Sequence, residues 1–340
     1  MMQDLNVTVE AARPSMSGIP EYGHAHALRS SVMETKDVDQ RFLVARSGGT
    51  ALGALLVTSG PTTTFSAHPV LGELCAKRDS SQITFVGNIS EFFGGAVVLR
   101  SSDPRDSMHV LVSLTAAARA AAGAETLHAP NVPHTQAPAF LESGFAVDSR
   151  REPRLWHDLM LPRMGDELGF LDDMDASRRR RWRRDLHLLD ELHVDALVGL
   201  TELHRDESAF RLIAAVRQRH GVATHPVLLE YELASWSQDE ADGLVTFAAT
   251  GPGNAVQAVC FAKIRGQSLE LHYVGIIDDT RRGDLYRAVV FAAPLRFAFR
   301  HALTAIVYGS GQDAPKLLRG ARSEILYTLI SQQDESEPTA

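Results

Sequence analysis

The chain has 340 residues, of which 44% are apolar, and its formal net charge is −8. This length predicts two domains, and the apolar fraction is enough to build two hydrophobic cores. An acidic chain is not a general nucleic-acid coat protein, so an anionic partner has to be held by a local cationic patch.

The N-terminus predicts neither a secretory signal nor a membrane anchor. Met1-Met2-Gln3-Asp4 places no basic residue before an apolar core, and no apolar run approaches the ~18 residues of a membrane span. Cys75 and Cys260 lie far apart among apolar neighbours, which is typical of reduced core residues, a reactive thiol being the alternative. We therefore expect a soluble cytoplasmic protein that does not enter a membrane.

The first half of the chain predicts a hairpin, further strands and one long helix. Segments 41–46 and 51–58 flank Ser47-Gly48-Gly49-Thr50, in which two glycines supply the positive φ of a tight turn. The alanine-rich segment 107–122, which ends at Gly123, is predicted to be a helix. Further strands are predicted at 85–89, 94–100, 126–129, 145–148 and 155–159.

The second half has a similar order of elements. A helix-rich entry covers 168–220, and apolar residues recur at helical spacing in 285–302. Strands are predicted at 227–234, 244–250, 255–264, 269–277 and 305–308. The sequence therefore predicts an α/β fold of two tandem units, each a mixed, mostly antiparallel sheet flanked by helices. The predicted layout is an N-terminal segment (1–25), a first domain (26–163), a second domain (164–330) and a disordered polar tail (331–340).

A family resemblance rests on the C-terminal half. The strand, charged turn, helix and strand within 269–308 resemble the unit with which GNAT-class acyltransferases bind an acyl donor, where a splayed strand admits the acyl group and the helix N-terminus faces the donor's phosphates. Two such units, a basic entry helix, and Gly309-Ser310-Gly311 followed by Lys316 and Arg319-Gly320 resemble the Fem-type aminoacyltransferases. The resemblance covers about residues 42–329.

The resemblance implies an activity. Members of that family attach amino acids to the interpeptide bridge of peptidoglycan or to natural products, and they typically use no metal. The implied reaction moves an aminoacyl group from aminoacyl-tRNA to an amine of a small peptide or natural-product intermediate. It forms an amide and needs no bound cofactor, because aminoacyl-tRNA is the co-substrate.

The strongest local signal for such a donor is a run of six arginines within positions 178–184. In a helix the run creates five like-charge pairs at i,i+3 or i,i+4, which together cost roughly 1 to 2.5 kcal/mol. Phosphate contacts on an RNA acceptor stem would offset that cost. The residues predicted to bind tRNA are Arg178, Arg179, Arg180, Arg181, Arg183, Arg184, Arg319 and Arg322.

Two features of this segment have alternative interpretations. The arginines could instead form a solvated face paired with Asp172, Asp173 and Asp175. Trp182 could stack on a base, but its spacing with Leu186 and Leu189 is i, i+4, i+7, which favours a core position.

Three residues are candidates for catalysis. Lys316 occupies the position of the family's lysine near the aminoacyl ester, and its cation could stabilise the oxyanion of a tetrahedral intermediate. Tyr308 could donate a hydrogen bond to the same intermediate. Asp278, or alternatively Asp279 or His272, could relay a proton from the incoming ammonium. The structural alternatives are a surface lysine at a helix start for Lys316 and a buried tyrosine that caps a strand for Tyr308.

An acyl-CoA-dependent N-acyltransferase with a degenerate pyrophosphate loop is the alternative function. Aligned on Gly283, the turn has Thr280 and Leu285 where CoA-binding members carry Arg or Gln and Gly or Ala. Asp284 suits helix capping and would repel a pyrophosphate. A second alternative is a noncatalytic RNA-binding relic of the fold.

The acceptor amine is predicted to lie in the crevice between the units, where a polar loop meets aromatic residues. The histidine pairs His24–His26 and His128–His134 lack a third ligand, so no metal site is predicted. The candidate substrate-binding residues are Asn88, Glu91, Phe92, Phe93, Glu230 and Tyr231.

Overall fold

The computed structural model describes a large part of the chain. The described residues are 5–10, 37–65, 75, 82–87, 97–98, 104–122, 126–162, 165–199, 201–220, 226, 229 and 243–331. Backbone contacts divide the chain into two compact units. The first comprises Met1–Trp156 with Glu324–Ala340, and the second comprises His157–Ser323.

The first unit is a mostly antiparallel sheet with helices. Its strand order is β1-β2-β3-β4-β6-β14, with β5 paired to β3 and β7 paired to β14. The strands are β1 (Asn6–Glu10), β2 (Asp39–Ser47), β3 (Thr50–Pro61), β4 (Gln82–Val86), β5 (Val97–Val98), β6 (Leu127–Pro133), β7 (Phe145–Val147) and β14 (Arg322–Ser331). The helices are α1 (Thr62–Phe65), α2 (Pro104–Ala122) and α3 (Ala137–Glu142).

The predicted hairpin and long helix of this unit are confirmed. Gly48 and Gly49 have φ of 53° and 83°, which allows the tight turn between β2 and β3. Helix α2 connects β4 to β6, and these two strands pair in parallel. Its apolar face, with Val110 and Leu114, packs into the core of the sheet.

The second unit has a sheet of order β8-β13-β12-β11-β10-β9. Its strands are β8 (Arg154–Met160), β9 (Val194–Val198), β10 (Leu244–Thr250), β11 (Val256–Arg265), β12 (Ser268–Ile276) and β13 (Ala305–Ser310). The helices are α4 (Glu167–Asp172), α5 (Ala176–Glu191), α6 (Glu207–Arg219), α7 (Arg282–Arg287), a π-helical turn (Ala288–Ala292), α8 (Ala293–Arg300) and α9 (Asp313–Leu317).

Both faces of this second sheet are covered. Helix α5, called the arginine helix below, packs with α7, the π-helical turn and α8 into one core. Helix α6 packs on β11 and β12 through Phe210 and Ile213, which contact Phe261 and Tyr273 in a second core. The predicted fold class, tandem α/β units of mostly antiparallel sheet, is confirmed.

Several described elements differ from the sequence prediction, among them β1 and α3, which were not predicted. Strand β9 lies inside the segment predicted to be a helical entry. Strand β14 was not predicted, and the contacts assign its residues from Glu324 onward to the first unit, whereas the predicted second domain runs to residue 330. Leu326 and Leu329 pair with β6, about 200 residues earlier in the chain, and local periodicity does not reveal so distant a partner.

Both cysteines are buried, as expected of core residues. Burial raises the pKa of the Cys260 thiol, which disfavours a reactive thiolate. Within the described ranges, no helix combines the length and the apolar character needed to cross a membrane.

Candidate active site

Strands β12 and β13 part at the centre of the second unit. They pair in parallel at Ser268–Ala305, Leu269–Ile306 and Glu270–Val307, and the pairing stops there. Strand β12 continues to Ile276 and β13 to Ser310. The strands connected through the long helix therefore splay beyond Glu270 and Val307, as the resemblance implied.

Lys316 lies just beyond the splayed end of β13. Gly311 and Gln312 have φ of 75° and 50°, a left-handed turn that reverses the chain into α9. The buried Lys316 Nζ donates hydrogen bonds to the carbonyl oxygens of Gly309 (2.9 Å) and Ser310 (3.0 Å). An ammonium group has three N–H donors, and the hydrogen bonds to described residues use two of them. Lys316 is therefore not the surface lysine of the alternative interpretation.

Burial lowers the pKa of Lys316 from 10.5 to about 8, and the nearby Asp313 carboxylate opposes this shift. Taking an ammonium out of water disfavours its charged form, whereas a neighbouring negative charge favours it. The side chain is thus mostly a cation at pH 7, and it becomes neutral at moderately alkaline pH.

Tyr308 precedes Gly309 on β13 and is buried. Its hydroxyl has no hydrogen-bond partner among the described residues, and burial raises its pKa. Its ring lies 5.2 Å from that of Phe291 in the π-helical turn. A buried hydroxyl without a partner costs about 1–3 kcal/mol, so this one is suited to donate to a bound ligand.

The arginine helix packs directly on residues 313–320, which contain Lys316 and are called the Lys316 segment below. Trp182, Leu186 and Leu189 are buried, which confirms the predicted core position of Trp182. The Trp182 Nε1 donates a hydrogen bond of 3.1 Å to the carbonyl oxygen of Arg319. The basic segment and the Lys316 segment therefore lie side by side in one unit.

Asp185 joins these two segments through charge. Its fully buried carboxylate accepts from Arg319 Nε at 2.7 Å and lies 3.2 Å from Arg287 Nη1. The Arg319 guanidinium also lies 3.9 Å from the centre of the Phe291 ring. Burial lowers the pKa of Arg319 while Asp185 raises it, and this opposition is characteristic of a desolvated ion pair.

A cavity of about 340 Å³ opens beside this ion pair. Arg181 and Arg184 line it, and neither forms an ion pair with any described residue. Four guanidinium groups line the cavity, while Arg287 and Arg319 share two carboxylates, Asp185 and Asp284. The other lining residues are Tyr286, Phe291, Pro315 and Leu318. The excess of positive charge beside aromatic rings favours an anionic ligand.

The other predicted tRNA-binding arginines are partly paired. Arg178 lies 3.3 Å from Asp175, and Asp172 lies 3.6 Å from Arg179 and 3.2 Å from Arg183. Arg180 is exposed and forms no ion pair within the described part. The exposed Arg322 pairs with Asp158 at 3.1 Å. The alternative of a solvated, carboxylate-paired face thus describes half of the six-arginine run.

The turn after β12 carries its own ion pairs. Asp278 is exposed and lies 3.3 Å from Arg282 and 3.7 Å from Arg219. The expectation that Asp284 caps the helix is wrong, because Arg281 is the N-cap residue and Asp284 instead pairs with Arg287. The carboxylates therefore neutralise part of the positive charge that a pyrophosphate would need.

The predicted acceptor residues Asn88, Glu91, Phe92, Phe93, Glu230 and Tyr231 lie outside the described residues. Among the residues that the structure describes, no group of three or more potential ligands could hold a metal ion.

Sequence reasoning did not assign four residues to the site: Tyr286, Arg287 and Phe291, which line the cavity, and Asp185, which pairs with two of its arginines. A signal for Asp185 was present, since it lies three positions after Trp182 and therefore on the apolar side of a basic helix. A carboxylate on a buried face requires a cationic partner. No comparable signal distinguishes Tyr286 and Phe291 from other core residues of their helix.

Comparison with known proteins supports the fold. No protein-family model matches the sequence, and no curated protein does. The crystal structure of FemX aligns with TM-score 0.54 and 12% identity, over 86% of this chain and 88% of that one. A conserved protein of unknown function from Bacteroides thetaiotaomicron aligns with TM-score 0.51 and 12% identity, over 90% and 88% of the two chains. A tandem GNAT protein from the clavulanic acid biosynthesis pathway aligns with TM-score 0.49 and 13% identity, over 98% and 100%. The chain therefore shares its fold with FemX.

Proposed function

We propose that this protein is an acyltransferase that moves an aminoacyl group from aminoacyl-tRNA to an amine of a small peptide or natural-product intermediate. The observation that carries the proposal is the cavity, where Arg181 and Arg184 of the arginine helix meet Arg319 and Pro315 of the Lys316 segment. These arginines share the cavity with Pro315, which precedes Lys316, and with Phe291, whose ring lies 5.2 Å from that of Tyr308.

Two regions are proposed to recognise the donor, namely the cavity and the exposed surface of the arginine helix. Arg181 and Arg184, which form no ion pair with a described residue, are proposed to hold phosphates near the acylated end of the donor, together with the buried Arg319. Exposed residues of the same helix, and Arg322, are proposed to contact the acceptor stem. Their local carboxylate pairs are exposed and weak, so phosphates can replace them.

The chemistry requires a placed ester and a stabilised oxyanion. The acyl group is proposed to enter the splay between β12 and β13, where the amine nitrogen attacks the ester carbonyl carbon. Lys316 and the Tyr308 hydroxyl are proposed to stabilise the oxyanion. The carbon–oxygen bond then breaks, and a proton from the attacking nitrogen ends on the departing ribose oxygen. Asp278 is proposed to relay that proton.

Acyl-CoA is the second candidate donor, and the exposed arginines at the turn into α7 favour it. Arg281 and Arg282 are exposed there. The space beside Gly283 is open, because a Cβ added at this glycine would meet no atom within 4 Å. Asp278, Asp279 and Asp284 pair with cations of this turn and helix. The carboxylates weigh against a pyrophosphate, so the tRNA donor remains the proposal.

Two binding measurements separate these donors. The tRNA proposal predicts that the purified protein slows hydrolysis of charged tRNA, with an affinity that falls steeply with salt. Acetyl-CoA should leave the melting temperature unchanged. A rise with acetyl-CoA and no protection of charged tRNA would instead support the CoA donor. Tight RNA binding without any transfer would support the noncatalytic relic.

A further inference from the structure

Ser323, His157 and Asp313 form a hydrogen-bonded chain within the second unit. Ser323 Oγ lies 3.0 Å from His157 Nδ1, and His157 Nε2 lies 2.8 Å from Asp313 Oδ1. His157 is fully buried, whereas Ser323 is exposed. A surface hydroxyl, an imidazole behind it and a carboxylate that orients the imidazole are the parts of an activated serine nucleophile.

Regular elements hold all three residues. His157 lies on β8, Asp313 begins α9, and Ser323 is the second residue of β14. When His157 donates its Nε2–H to Asp313, its Nδ1 carries a lone pair that accepts the Ser323 hydroxyl proton. The carboxylate therefore selects the tautomer in which the imidazole acts as a base toward serine.

We propose that Ser323 is a nucleophile through which the protein hydrolyses activated carboxylic esters. Its Oγ bonds to the carbonyl carbon, the hydroxyl proton passes to His157 Nδ1, and the ester carbon–oxygen bond breaks as the departing oxygen takes that proton. Water then attacks the acyl-serine and gives its proton through His157 to Oγ. The net reaction converts ester and water to acid and alcohol, so no further co-reactant is needed.

This activity is independent of the proposed amide transfer, because its test uses neither tRNA nor an amine. The same hydrogen bonds also tie α9 to β8, and a purely structural tether predicts no chemistry at Ser323. The nucleophilic role therefore predicts a covalent adduct at Ser323 of the wild-type chain, whereas the structural role predicts none.

The experiment treats the full chain with a fluorophosphonate probe and locates the adduct by peptide mass spectrometry. We expect one adduct on Ser323, and hydrolysis of p-nitrophenyl acetate that stops once the adduct has formed. Ser323→Ala should abolish both, and Ser208→Ala, an exposed helical serine, should change neither. Asp313→Asn should slow labelling by at least about tenfold, because the imidazole loses its orienting carboxylate.

Labelling of the wild-type chain with the probe tests the nucleophile proposal without any variant. If the folded chain takes no adduct at Ser323, or if Ser323→Ala hydrolyses the ester as fast as the wild type, the proposal is wrong. Failure here leaves the transfer from aminoacyl-tRNA unaffected, because that reaction is followed by a separate amide product.

Discussion

The indole nitrogen of Trp182 donates a hydrogen bond of 3.1 Å to the carbonyl oxygen of Arg319. One residue belongs to the arginine helix and the other follows Lys316, so this bond fixes the spacing between the basic surface and the candidate catalytic lysine. Asp185, one turn further along the helix, adds an ion pair to the side chain of the same arginine. The apolar face of the helix therefore determines where its unpaired arginines point.

Asp185→Asn should destabilise the second unit. The substitution leaves the buried Arg319 and the half-buried Arg287 without their shared negative charge, and breaking a buried ion pair costs about 3–5 kcal/mol. Urea unfolding monitored by tryptophan fluorescence would measure the loss. Asp190→Asn, an exposed change on the same helix, is the control and should stay within about 0.5 kcal/mol of the wild type. An equal, small effect of both changes would mean that the buried pair contributes little.

Arg181→Ala and Arg184→Ala should each weaken RNA binding and make it less dependent on salt. Each removes one cation that has no ion-pair partner among the described residues, so the slope of log affinity against log salt should decrease in magnitude by about 1. Arg211→Ala is the matched control, because this exposed arginine on α6 already pairs with Glu207. Filter binding of charged tRNA at several salt concentrations measures both quantities. A slope that changes as much in Arg211→Ala as in Arg184→Ala would contradict the assignment.

The transfer rate should decline as pH rises through about 8. Lys316 loses its proton there, and the neutral amine no longer stabilises the oxyanion. Arginine stays charged at this pH, so Lys316→Arg should remove the decline while lowering the rate at every pH. Rate profiles from pH 6 to 10 would test this. If the rate of Lys316→Arg declines with pH as the wild-type rate does, a group other than Lys316 causes the decline.

The same lysine predicts how stability depends on pH. Its pKa is lower in the folded chain than the ordinary 10.5, so between about pH 8 and 10.5 the unfolded chain binds more protons. The contribution of Lys316 to the free energy of unfolding should therefore rise across this window and be constant below it. Comparing wild type with Lys316→Met in urea at each pH isolates the contribution. A difference that does not vary with pH would mean that the lysine is not desolvated.

Tyr308→Phe should separate stability from catalysis. Removing a buried hydroxyl that has no partner among the described residues should leave the melting temperature unchanged or raise it. The loss of an oxyanion donor should lower kcat by roughly 10²–10³-fold. Melting curves and steady-state kinetics on one preparation measure both. An unchanged kcat would mean that Tyr308 has only a structural role.

Local patterns predicted most of the fold. The Ser47–Thr50 turn with its two glycines predicted the first hairpin, and the spacing of Trp182, Leu186 and Leu189 predicted the buried face of the arginine helix. The pairing of β14 could not be predicted in this way, because its register is set by a strand far away in the sequence.

Only part of the candidate site could be predicted. Lys316 followed from the resemblance, and Tyr308 from its position at the end of a predicted buried strand, one residue before Gly309. The cavity did not, because it depends on Asp185 and Phe291 meeting Arg319 across three separate segments. The hydrogen bonds of His157 to Asp313 and Ser323 likewise join residues more than 150 positions apart.

The most direct test of the central claim is a transfer assay. The protein is incubated with a mixture of charged tRNAs and candidate amines, and the products are searched by mass spectrometry for a new amide. The account predicts an amide that requires charged tRNA and is lost in the Arg181→Ala, Arg184→Ala double variant but kept in Arg211→Ala. An amide that forms from acetyl-CoA and not from any charged tRNA would contradict it.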